Sequence, residues 1–547
     1  MQLDAIFENG RFRTLDPQRP GATRMGVFGG RIVGFDADLE GCTTLERYDL
    51  GGAHAVPGFN DAHQHLSMRG RRLRSLDLRA HVVGSLDDLY AAVELFARDL
   101  PPGTWIKGSG YDQNKIGAHP TAEMLDKVSA GHPVWLEHVS AHMGVANTEA
   151  FRLAGFSERY GVPDVPGGAV EREESGRAVG LLQETAQRLV TDAFRPIGTD
   201  EIVDYIKAGS EVGVSEGLTS ATEPGIGAID HIGNSTIDLY AFQRARDQGV
   251  LDVRMTLMPY ITVLRDLGAL EGESTWRGLD LGVRTGFGDD YVRLGPTKIA
   301  TDGSLIGRSA YMSCCYHDDG DNRGFLQFEE DEVRVLITQA HRAGWSVAAH
   351  AIGDAAVDAA LDAFELAQVQ YPRHDPRHRI EHFAVASDAQ VARLVELGVT
   401  AVPQGRFISE LGDGMMRALG PSRSLQCYRM GSLIEAGAVL PGSSDSPVVH
   451  GSPLLNIHDM VNRVTADGVP LAPNEAVTPA QALEAYTAGS AYAAGEEKSK
   501  GRLQRGMLAD FAVLSDDLLA VDPGTIKDMS TGATVIGGRV VFNDGAL

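Results

Sequence analysis

At 547 residues the chain is longer than one ordinary hydrophobic core, so its length indicates several domains or one large barrel with additions. Its composition, 43% hydrophobic and 22% charged, is typical of a globular protein. A net charge of −25 without basic runs makes nucleic acid and anionic membrane surfaces poor partners. Four cysteines without a CxxC pair exclude a disulfide framework and a thiolate zinc site.

The N-terminal stretch MQLDAIFENGRFRTLD alternates like a strand and lacks the apolar core of a signal peptide. No apolar run approaches the ~18 residues of a membrane-spanning helix. Together with the few, unpatterned cysteines, these features favour a protein of the reducing cytoplasm.

The two ends of the chain carry the same pattern. The stretches MGVFGGRIVGFD (25–36) and TVIGGRVVFNDG (534–545) each place a Gly-Gly-Arg turn between apolar runs, which predicts a hairpin. LADFAVLS (508–515) adds a short buried strand. We therefore predict one composite β domain made of residues 1–56 and 490–547. Two unrelated hairpins are the alternative.

Residues 57–489 alternate short apolar strands with helical stretches, which is the pattern of a (β/α)₈ barrel. The predicted strands are 61–66, 217–223, 252–260, 292–301, 344–353, 378–384, 398–404 and 437–445, and the clearest helices are 329–344, 354–370 and 387–398. The connection after the first strand is much too long for a loop. It predicts an inserted subdomain at about 71–215 that covers the rim of the pocket.

Polar residues follow these strands at the spacing of a barrel. A typical barrel has about 31 residues per βα unit. The separation from His350 to His382 is about one unit, and that from His382 to Asp445 is about two. Lys298 precedes His350 by one unit and a long loop. Because active sites lie at the C-terminal ends of barrel strands, we expect these four residues to gather at one mouth.

The stretch PGFNDAHQHL (57–66) places His63 and His65 on the same face of a strand, because alternate residues share a face. Imidazole is a common metal ligand, and a carboxylate such as Asp445 can bind a metal and take a proton from water. Structural alternatives are polar loop residues for the pair, ordinary core positions for the other histidines, and a turn or helix cap for Asp445.

Lys298 is an unusual member of this set, because an ammonium group would be repelled by divalent ions. A neutral lysine can instead react with carbon dioxide, and the carbamate is an anionic ligand able to bridge two metals. The alternative is a lysine paired with an acidic residue near the mouth. Glu223, at the end of the second strand, is a further carboxylate that could bind metal or contact Lys298.

As an ordered set, these residues resemble the amidohydrolase superfamily of metal-dependent hydrolases. The motifs WIKGSGYDQ, KIATDGSL, HAIGDAAVD, RIEHF, GSSDSPV and GRLQRGMLADFAVLS resemble amidohydrolase family 3, the branch that includes N-substituted formamide deformylases. The resemblance covers nearly the whole chain. It implies an α/β fold: a distorted (β/α)₈ TIM-like barrel, a small composite β-sandwich domain from both termini, and the large insertion after strand 1.

The resemblance also implies one or two divalent ions, usually zinc. In that arrangement His63, His65 and Asp445 hold one ion, and Asp445 carries a proton from the metal-activated water to the leaving nitrogen. A second ion lies on two further histidines, and the lysine carbamate bridges the pair; these residues are His350, His382 and Lys298. One ion without a carbamate is compatible with the same sequence.

The reaction implied is hydrolysis of a carbon–nitrogen bond other than a peptide bond, in the first place a linear amide such as an N-substituted formamide. His142, in VSAHMGVAN, matches a histidine of the branch's insertion and is predicted to hold the substrate carbonyl or an oxyanion. Tyr111 and Gln404 are predicted to line the pocket. Cyclic amide hydrolysis, deamination, and a lyase or isomerase reaction remain alternatives, as does a non-catalytic scaffold. The implied partner is a small-molecule substrate, and a homodimer is compatible because such relatives are often dimers.

Overall fold

The computed structural model describes residues 1–79, 82–138, 143–165, 168–195, 197–229, 232–267 and 276–547. The chain is an α/β protein, as expected from the sequence. It forms two compact units, a larger unit of Met1–Leu66 with Ser210–Leu547 and a smaller unit of Ser67–Gly209. Among the helices of the described residues, none has the length and apolar character needed to cross a membrane.

Strands from both ends of the chain pair with each other in the larger unit. A four-stranded sheet has the order Arg31–Phe35, Met25–Phe28, Gln2–Glu8 and Thr43–Asp49. A six-stranded sheet has the order Arg539–Asn543, Thr531–Ile536, Phe511–Leu514, His54–Pro57, Arg11–Asp16 and Arg19–Ala22. The two ends of the chain join where Phe511–Leu514 runs antiparallel to His54–Pro57.

Both Gly-Gly-Arg stretches form hairpin turns. The φ angles are 60° and 75° at Gly29 and Gly30, and 60° and 76° at Gly537 and Gly538. A two-residue turn with positive φ at both positions matches the twist of the flanking strands, and glycine adopts this conformation without steric cost. The sequence pattern therefore predicted these turns because their chemistry is local.

Buried aromatic rings fill the core shared by these sheets. The ring centroid of Phe511 lies 4.9 Å from that of Phe7 and 5.7 Å from that of Phe12, both in edge-on arrangements. The three residues come from strands of both chain ends, so burying them requires both ends to be in place.

Eight parallel segments of the larger unit form a closed ring. The first seven ring strands are, in order, Phe59–Asp61, Leu218–Ile226, Arg254–Pro259, Val292–Leu294 continued by Thr297–Ala300, Val347–Ala351, Arg379–His382 and Thr400–Val402. The third and fourth strands are also joined by a parallel bridge between Tyr260 and Lys298. The eighth segment, residues 441–445, is joined to the seventh strand by a parallel bridge between Gln404 and Ser443.

Backbone hydrogen bonds close the ring between its eighth segment and its first strand. The amide of Ala62 donates to the carbonyl of Gly442 at 2.9 Å. The amide of Asp445 donates to the carbonyl of His63 at 2.7 Å. The C-terminal ends of the parallel strands consequently meet at one mouth, as the sequence predicts for the candidate residues.

Two of the predicted strands differ from the observed ones. The stretch 292–301 is divided at Gly295 and Pro296, because proline has no amide hydrogen with which to continue a sheet ladder. The stretch 437–445 is not a regular strand. Its Gly442 backbone lies against Tyr486, where a Cβ atom would come within 2.2 Å of the tyrosine ring, and the Gly442 amide donates to the carbonyl of Ala485 at 2.9 Å instead of to a neighbouring ring strand.

The helices predicted at 329–344, 354–370 and 387–398 are observed with end points shifted by at most a few residues. The α-helices are Leu66–Arg74, Leu86–Ala97, Gln113–Ile116, Ala122–Val128, Thr148–Leu153, Arg188–Thr191, Thr199–Ser215, Asp238–Asp247, Glu330–Arg342, Asp354–Gln370, Asp388–Glu396, Phe407–Arg423, Met430–Glu435, Pro453–Asn462, Pro479–Glu484 and Ser490–Ala493. The helix Asp388–Glu396 begins at a capping box in which Ser387 and Gln390 satisfy each other's backbone amides.

The smaller unit has its own sheet and core. Its six strands have the order Gly168–Arg172, Ala178–Glu184, Met143–Ala146, Val134–His138, Ile106–Tyr111 and Leu76–Asp77. Leu89 and Val93 of a flanking helix pack with Leu136 in a buried cluster. The larger unit also contains a two-stranded ribbon of Arg265–Leu267 and Trp276–Gly278.

Two buried histidines form a hydrogen-bonded chain between helix Glu330–Arg342 and the start of the sixth ring strand. The amide of Val347 donates to His378 Nδ1 at 3.0 Å, so the proton of His378 lies on Nε2. That atom donates to His341 Nδ1 at 2.8 Å, and His341 Nε2 donates to the carbonyl of Tyr371 at 2.6 Å. Burial lowers the pKa of both rings. For His341 the bond to Tyr371 acts in the opposite direction and the charge of Arg373 in the same one, while the charges of His341 and Arg373 lower the pKa of His378 further.

We predict that this pair makes the protein less stable in mild acid. Because the folded-state pKa values are depressed, the unfolded chain binds protons that the folded chain does not as the pH falls below about 6.5. His378→Asn keeps an acceptor for Val347 and removes one titrating ring. Denaturant unfolding should show a pH dependence that is shallower than wild type by about 1.4 kcal/mol per pH unit between about pH 6.5 and 5. His374→Gln, at an exposed position, is the control, and equal slopes in all three proteins would contradict the prediction.

Candidate metal centre

Three side chains converge where the ring strands end. His63 follows the first ring strand, His382 ends the sixth, and Asp445 ends the eighth segment. Each offers one ligand atom, and these atoms all lie within 4.8 Å of one another. All three residues are buried. Nitrogen and oxygen donors converging in this way can hold a divalent ion such as zinc.

A buried carboxylate fixes the orientation of His63. Its Nδ1 donates to Glu381 Oε2. Arg379 donates to both oxygens of Glu381 and also to the carbonyl of Ala62. Burial opposes the negative charge of Glu381, but the charge of Arg379, together with His63 and Lys298, outweighs it and holds the pKa of this carboxyl well below its usual range. Because the ionised carboxylate can only accept, Nδ1 of His63 carries a proton and donates it to Glu381, which turns Nε2 of the ring toward Asp445.

Gln404 performs the same task for His382. The Gln404 Nε2 donates to the carbonyl of Val402 at 2.9 Å and to Ser443 Oγ at 3.1 Å. Its Oε1 must therefore accept from His382 Nδ1, which lies 2.8 Å away. Burial lowers the pKa of His382 well below its usual range, so the ring is neutral with Nε2 free to bind a cation. Gln404 was predicted to contact the substrate; its full burial and these bonds favour a role behind His382 instead.

Asp445 faces two histidines with one oxygen. Its Oδ1 lies 3.3 Å from His63 Nε2 and 3.2 Å from His65 Nε2. Burial raises the cost of the charge, but the two histidines outweigh it and keep the pKa of Asp445 well below its usual range. Either a proton on His63 Nε2 or a metal ion shared by the two side chains satisfies this contact of 3.3 Å. His65 Nδ1 is buried, and none of the described residues offers it a hydrogen bond.

Lys298 lies in the fourth ring strand and is almost fully buried. Burial lowers its pKa to about 8, although the charges of Glu381 and Asp445 act in the opposite direction. Within the described ranges its amino group forms no hydrogen bond or ion pair. Glu223 is buried in the second ring strand, and no bond between it and Lys298 is found in the described part of the chain. The alternative considered from the sequence, an ion pair between Lys298 and an acidic residue, is therefore not found among the described residues.

His350 lies at the same mouth but outside the three-residue cluster. The centroid of its ring is 4.4 Å from that of His382. Burial, and next the charge of Lys298, lower its pKa to about 3, so the ring is neutral. Its Nε2 donates to the carbonyl of Gly303 at 3.0 Å and lies 3.4 Å from Asp302 Oδ1. This nitrogen therefore already has a partner, in contrast to Nε2 of His382.

Three residues of the centre were missed by sequence reasoning: Arg379, Glu381 and Asp302. Arg379 and Glu381 are two apart in RIEH, and this alternation places both on one face of the sixth ring strand. Asp302 follows the fourth strand. Its carboxylate accepts the backbone amide of Tyr311 and, just after the fifth strand, that of Gly353 at 2.8 Å. Burial raises the pKa of Asp302 to about 7 despite these bonds. The adjacency of Glu381 to His382 was a signal that could have been used.

Two further residues, His142 and Tyr111, were predicted as substrate contacts. His142 lies outside the described residues. Tyr111 belongs to the smaller unit, where it is buried in the core. Its hydroxyl lies 3.1 Å from His119 Nδ1, and its ring centroid lies 5.1 Å from that of His138. Burial raises the pKa of the Tyr111 hydroxyl above its usual range.

Known proteins resemble this chain over nearly its whole length. The family model described as "Amidohydrolase family" matches residues 46–542. The chain belongs to the amidohydrolase family. It is 29% identical over 507 residues to the putative amidohydrolase YtcJ of Bacillus subtilis (strain 168), covering 92% of this chain and 91% of the relative. The expectations from the sequence are thus confirmed for the family and for an enzyme of the metal-dependent amidohydrolase class.

Two further comparisons cover the chain just as fully. It is 28% identical to an N-substituted formamide deformylase of Arthrobacter pascens, over 98% of this chain and 97% of the relative. The crystal structure of an uncharacterized metal-dependent hydrolase from Pyrococcus horikoshii OT3 superimposes with a TM-score of 0.77 at 27% identity. That match covers 95% of this chain and 99% of the other. The amidohydrolase fold expected from the sequence is therefore supported by a solved structure.

We predict that Glu381→Gln weakens metal binding by roughly 10- to 100-fold, the usual effect of removing a residue that orients a histidine ligand. A glutamine cannot accept from Arg379 and His63 together, and its amide nitrogen would face another donor. Competition with a chromogenic zinc chelator measures the change. Glu496→Gln is the matched control, because Glu496 is an equally buried carboxylate paired with Lys500 at 2.7 Å outside the centre. Equal losses in both variants would show that the effect is not specific to His63.

Proposed function

We propose that the chain is a metal-dependent hydrolase that cleaves a carbon–nitrogen bond other than a peptide bond, in a linear amide such as an N-substituted formamide. The observation that carries the proposal is the buried cluster of His63, His382 and Asp445, whose two histidines are each oriented by a hydrogen bond at Nδ1. The likeness to an N-substituted formamide deformylase over almost the full chain supports the substrate class.

The histidine nitrogens and the carboxylate oxygen of this cluster suit zinc, and a divalent ion held by them would acidify a bound water and polarise the substrate carbonyl. The chain's own contribution begins with Asp445. Its carboxylate is ionised at neutral pH and can accept a proton as the water attacks. Cleavage of the carbon–nitrogen bond leaves an amine that needs one proton, and Asp445 can return it. Water and amide thus yield a carboxylic acid and an amine, with Asp445 restored.

We further propose two ions joined by a carbamate on Lys298. In this arrangement His63, His65 and Asp445 would hold one ion, and His350 and His382 would hold the second. Burial of Lys298, its pKa of about 8 and the absence of a partner among the described residues raise the share of neutral amine near neutral pH, and the neutral amine is the form that reacts with carbon dioxide. The bond from His350 to Gly303 must be given up, or the other ring nitrogen used, for His350 to join the site.

The architecture proposed around this centre is a distorted (β/α)₈ barrel formed by the ring, a composite β-sandwich of residues 1–56 and 490–547, and an inserted subdomain at about 71–215. His142 and Tyr111 are proposed as substrate contacts from that insertion. A small-molecule substrate, a homodimer and a cytoplasmic location complete the proposal.

The activity is tested with zinc-loaded protein and a panel of N-substituted formamides, their acetyl analogues, cyclic amides and amino-substituted rings. We expect formate and amine from the formamides, loss of turnover after chelation, and recovery with zinc. Ring opening or ammonia release would instead indicate a cyclic amidase or a deaminase, and turnover without uptake of labelled water a lyase or isomerase. Zinc-loaded protein that hydrolyses no carbon–nitrogen bond would contradict the proposal.

In the same assay, Asp445→Asn should lower kcat by about 10²- to 10⁴-fold, the range of general acid–base catalysis. Asparagine cannot take the proton of the attacking water. Asp280→Asn is the control, because Asp280 is an exposed partner of Arg265. Retained turnover in Asp445→Asn would remove Asp445 from the proton path.

The carbamate is tested by carbon NMR with isotopically labelled bicarbonate. We expect one carbamate resonance in metal-loaded wild type that is absent in Lys298→Met, together with two zinc ions per chain in wild type by elemental analysis. Lys107→Met is the control, since Lys107 is paired with Glu201 at 2.6 Å in the smaller unit. One ion per chain and no resonance would support the single-metal form.

A further inference from the structure

Asp61 is a buried carboxylate that the proposed chemistry does not use. It ends the first ring strand and is 1% exposed. Its Oδ1 accepts the backbone amides of His63 at 3.0 Å and Ser444 at 3.1 Å. Its Oδ2 accepts from the Ser444 hydroxyl at 2.5 Å and from Gln64 Nε2 at 3.1 Å. One carboxylate therefore joins the segment that carries His63 to the segment that carries Asp445.

These bonds lie on the seam that closes the ring. Two backbone hydrogen bonds run beside them, from Asp445 to the carbonyl of His63 at 2.7 Å and from His65 to the carbonyl of Ser446 at 2.8 Å. By themselves, these backbone bonds fix only which residues of the two segments lie opposite each other. The Asp61 carboxylate adds two hydrogen bonds, from the amide of His63 itself and from the amide of Ser444, which precedes Asp445. Hydrogen bonds to a carboxylate are stronger than those between neutral groups.

We propose that Asp61 is a positioning residue, which sets the separation between the imidazole of His63 and the carboxylate of Asp445 so that both reach one ion. This rests on the proposed metal-dependent function. Ligand atoms have to be held within about 0.5 Å of the required geometry, and the residues that fix their backbone decide this. Asp61 has no role in the reaction itself, since its carboxylate is already saturated with donors from the two segments.

The choice of side chain is specific. Asparagine at position 61 would have the same shape, but its amide nitrogen would face a donor from Ser444, Gln64 or His63. At least one of these bonds would become a repulsive contact, and the two segments would move apart. Ser444→Ala is the milder change for Asp61, because it removes the hydroxyl that donates to Asp61 and accepts the Ser446 amide at 3.1 Å, but leaves both backbone amides on Asp61 in place.

The experiment compares Asp61→Asn, Ser444→Ala and the double variant with Asp238→Asn. Asp238 is the matched control, because it is also a 1% exposed carboxylate and accepts the backbone amides of Gly227 at 2.9 Å and Ser235 at 3.0 Å away from the metal centre. Three quantities are measured on the full chain: the zinc dissociation constant by chelator competition, the visible spectrum of the cobalt-loaded protein, and the thermal midpoint of the metal-free protein.

Asp61→Asn should weaken zinc binding by roughly 10- to 100-fold and change the cobalt spectrum, as expected for a residue that orients ligands. Ser444→Ala should shift both in the same direction by less. The double variant should bind zinc more weakly than Asp61→Asn by less than the loss that Ser444→Ala causes alone, because the bond between the serine and the carboxylate is counted in both single variants. Asp238→Asn should lower the thermal midpoint while leaving zinc affinity and the cobalt spectrum at their wild-type values.

The positioning role is overturned if Asp61→Asn binds zinc as wild type does, or if Asp238→Asn loses as much affinity for the same loss of midpoint. If Asp61→Asn does not fold, Ser444→Ala is compared with Asp238→Asn instead. The positioning role is then overturned if Ser444→Ala binds zinc as wild type does, or if Asp238→Asn loses as much affinity for the same loss of midpoint. If wild type itself binds no divalent ion, the proposed function fails and the positioning role fails with it. Tight zinc binding by wild type and Asp61→Asn alike refutes the positioning role alone.

Discussion

The ion pair between Arg379 and Glu381 is the interaction on which the metal centre depends. A carboxylate without solvent exposure carries a full charge only if a cation beside it compensates the lost hydration. Arg379 lies two residues away on the same ring strand and supplies a planar, two-point contact. Its third bond, to the carbonyl of Ala62, attaches the sixth strand to the segment that carries His63. The pair therefore supplies both a charge and a mechanical connection across the ring.

The charges around this pair leave the centre prepared for a cation. Asp445 and Glu381 are both held ionised, while His350 and His382 are held neutral by burial. Arg379 balances one of the two negative charges, and Lys298, with a pKa of about 8, balances the other only in part. A divalent ion beside Asp445 would lower the pKa of Lys298 further, since like charges disfavour its ammonium form. Metal binding and deprotonation of this lysine are thus expected to favour each other.

The sequence predicted those parts of the molecule whose chemistry is local or periodic. The helix at 354–370 and both glycine hairpins could be read directly, because helix patterning and turn conformation depend on neighbouring residues. The spacing of polar residues along the chain predicted that His63, His382 and Asp445 would meet, because parallel strands share an end. What could not be read is which residue stands behind each ligand. The contact of Glu381 with His63 joins positions 318 residues apart, and Gln404 contacts His382 from the end of the neighbouring ring strand. Such pairs leave no periodic trace in one sequence.

The antiparallel pairing of His54–Pro57 with Phe511–Leu514 has a consequence for how the chain is made. During translation, His54–Pro57 is synthesised long before its partner strand Phe511–Leu514. Through most of synthesis, the strand that leads into the ring therefore has an unpaired edge, which is the kind of surface that draws other strands. The large ring is anchored at its start by residues translated near its end. The position of His63 is accordingly fixed late in synthesis. Conditions that slow or truncate translation would leave the edge of His54–Pro57 exposed for longer.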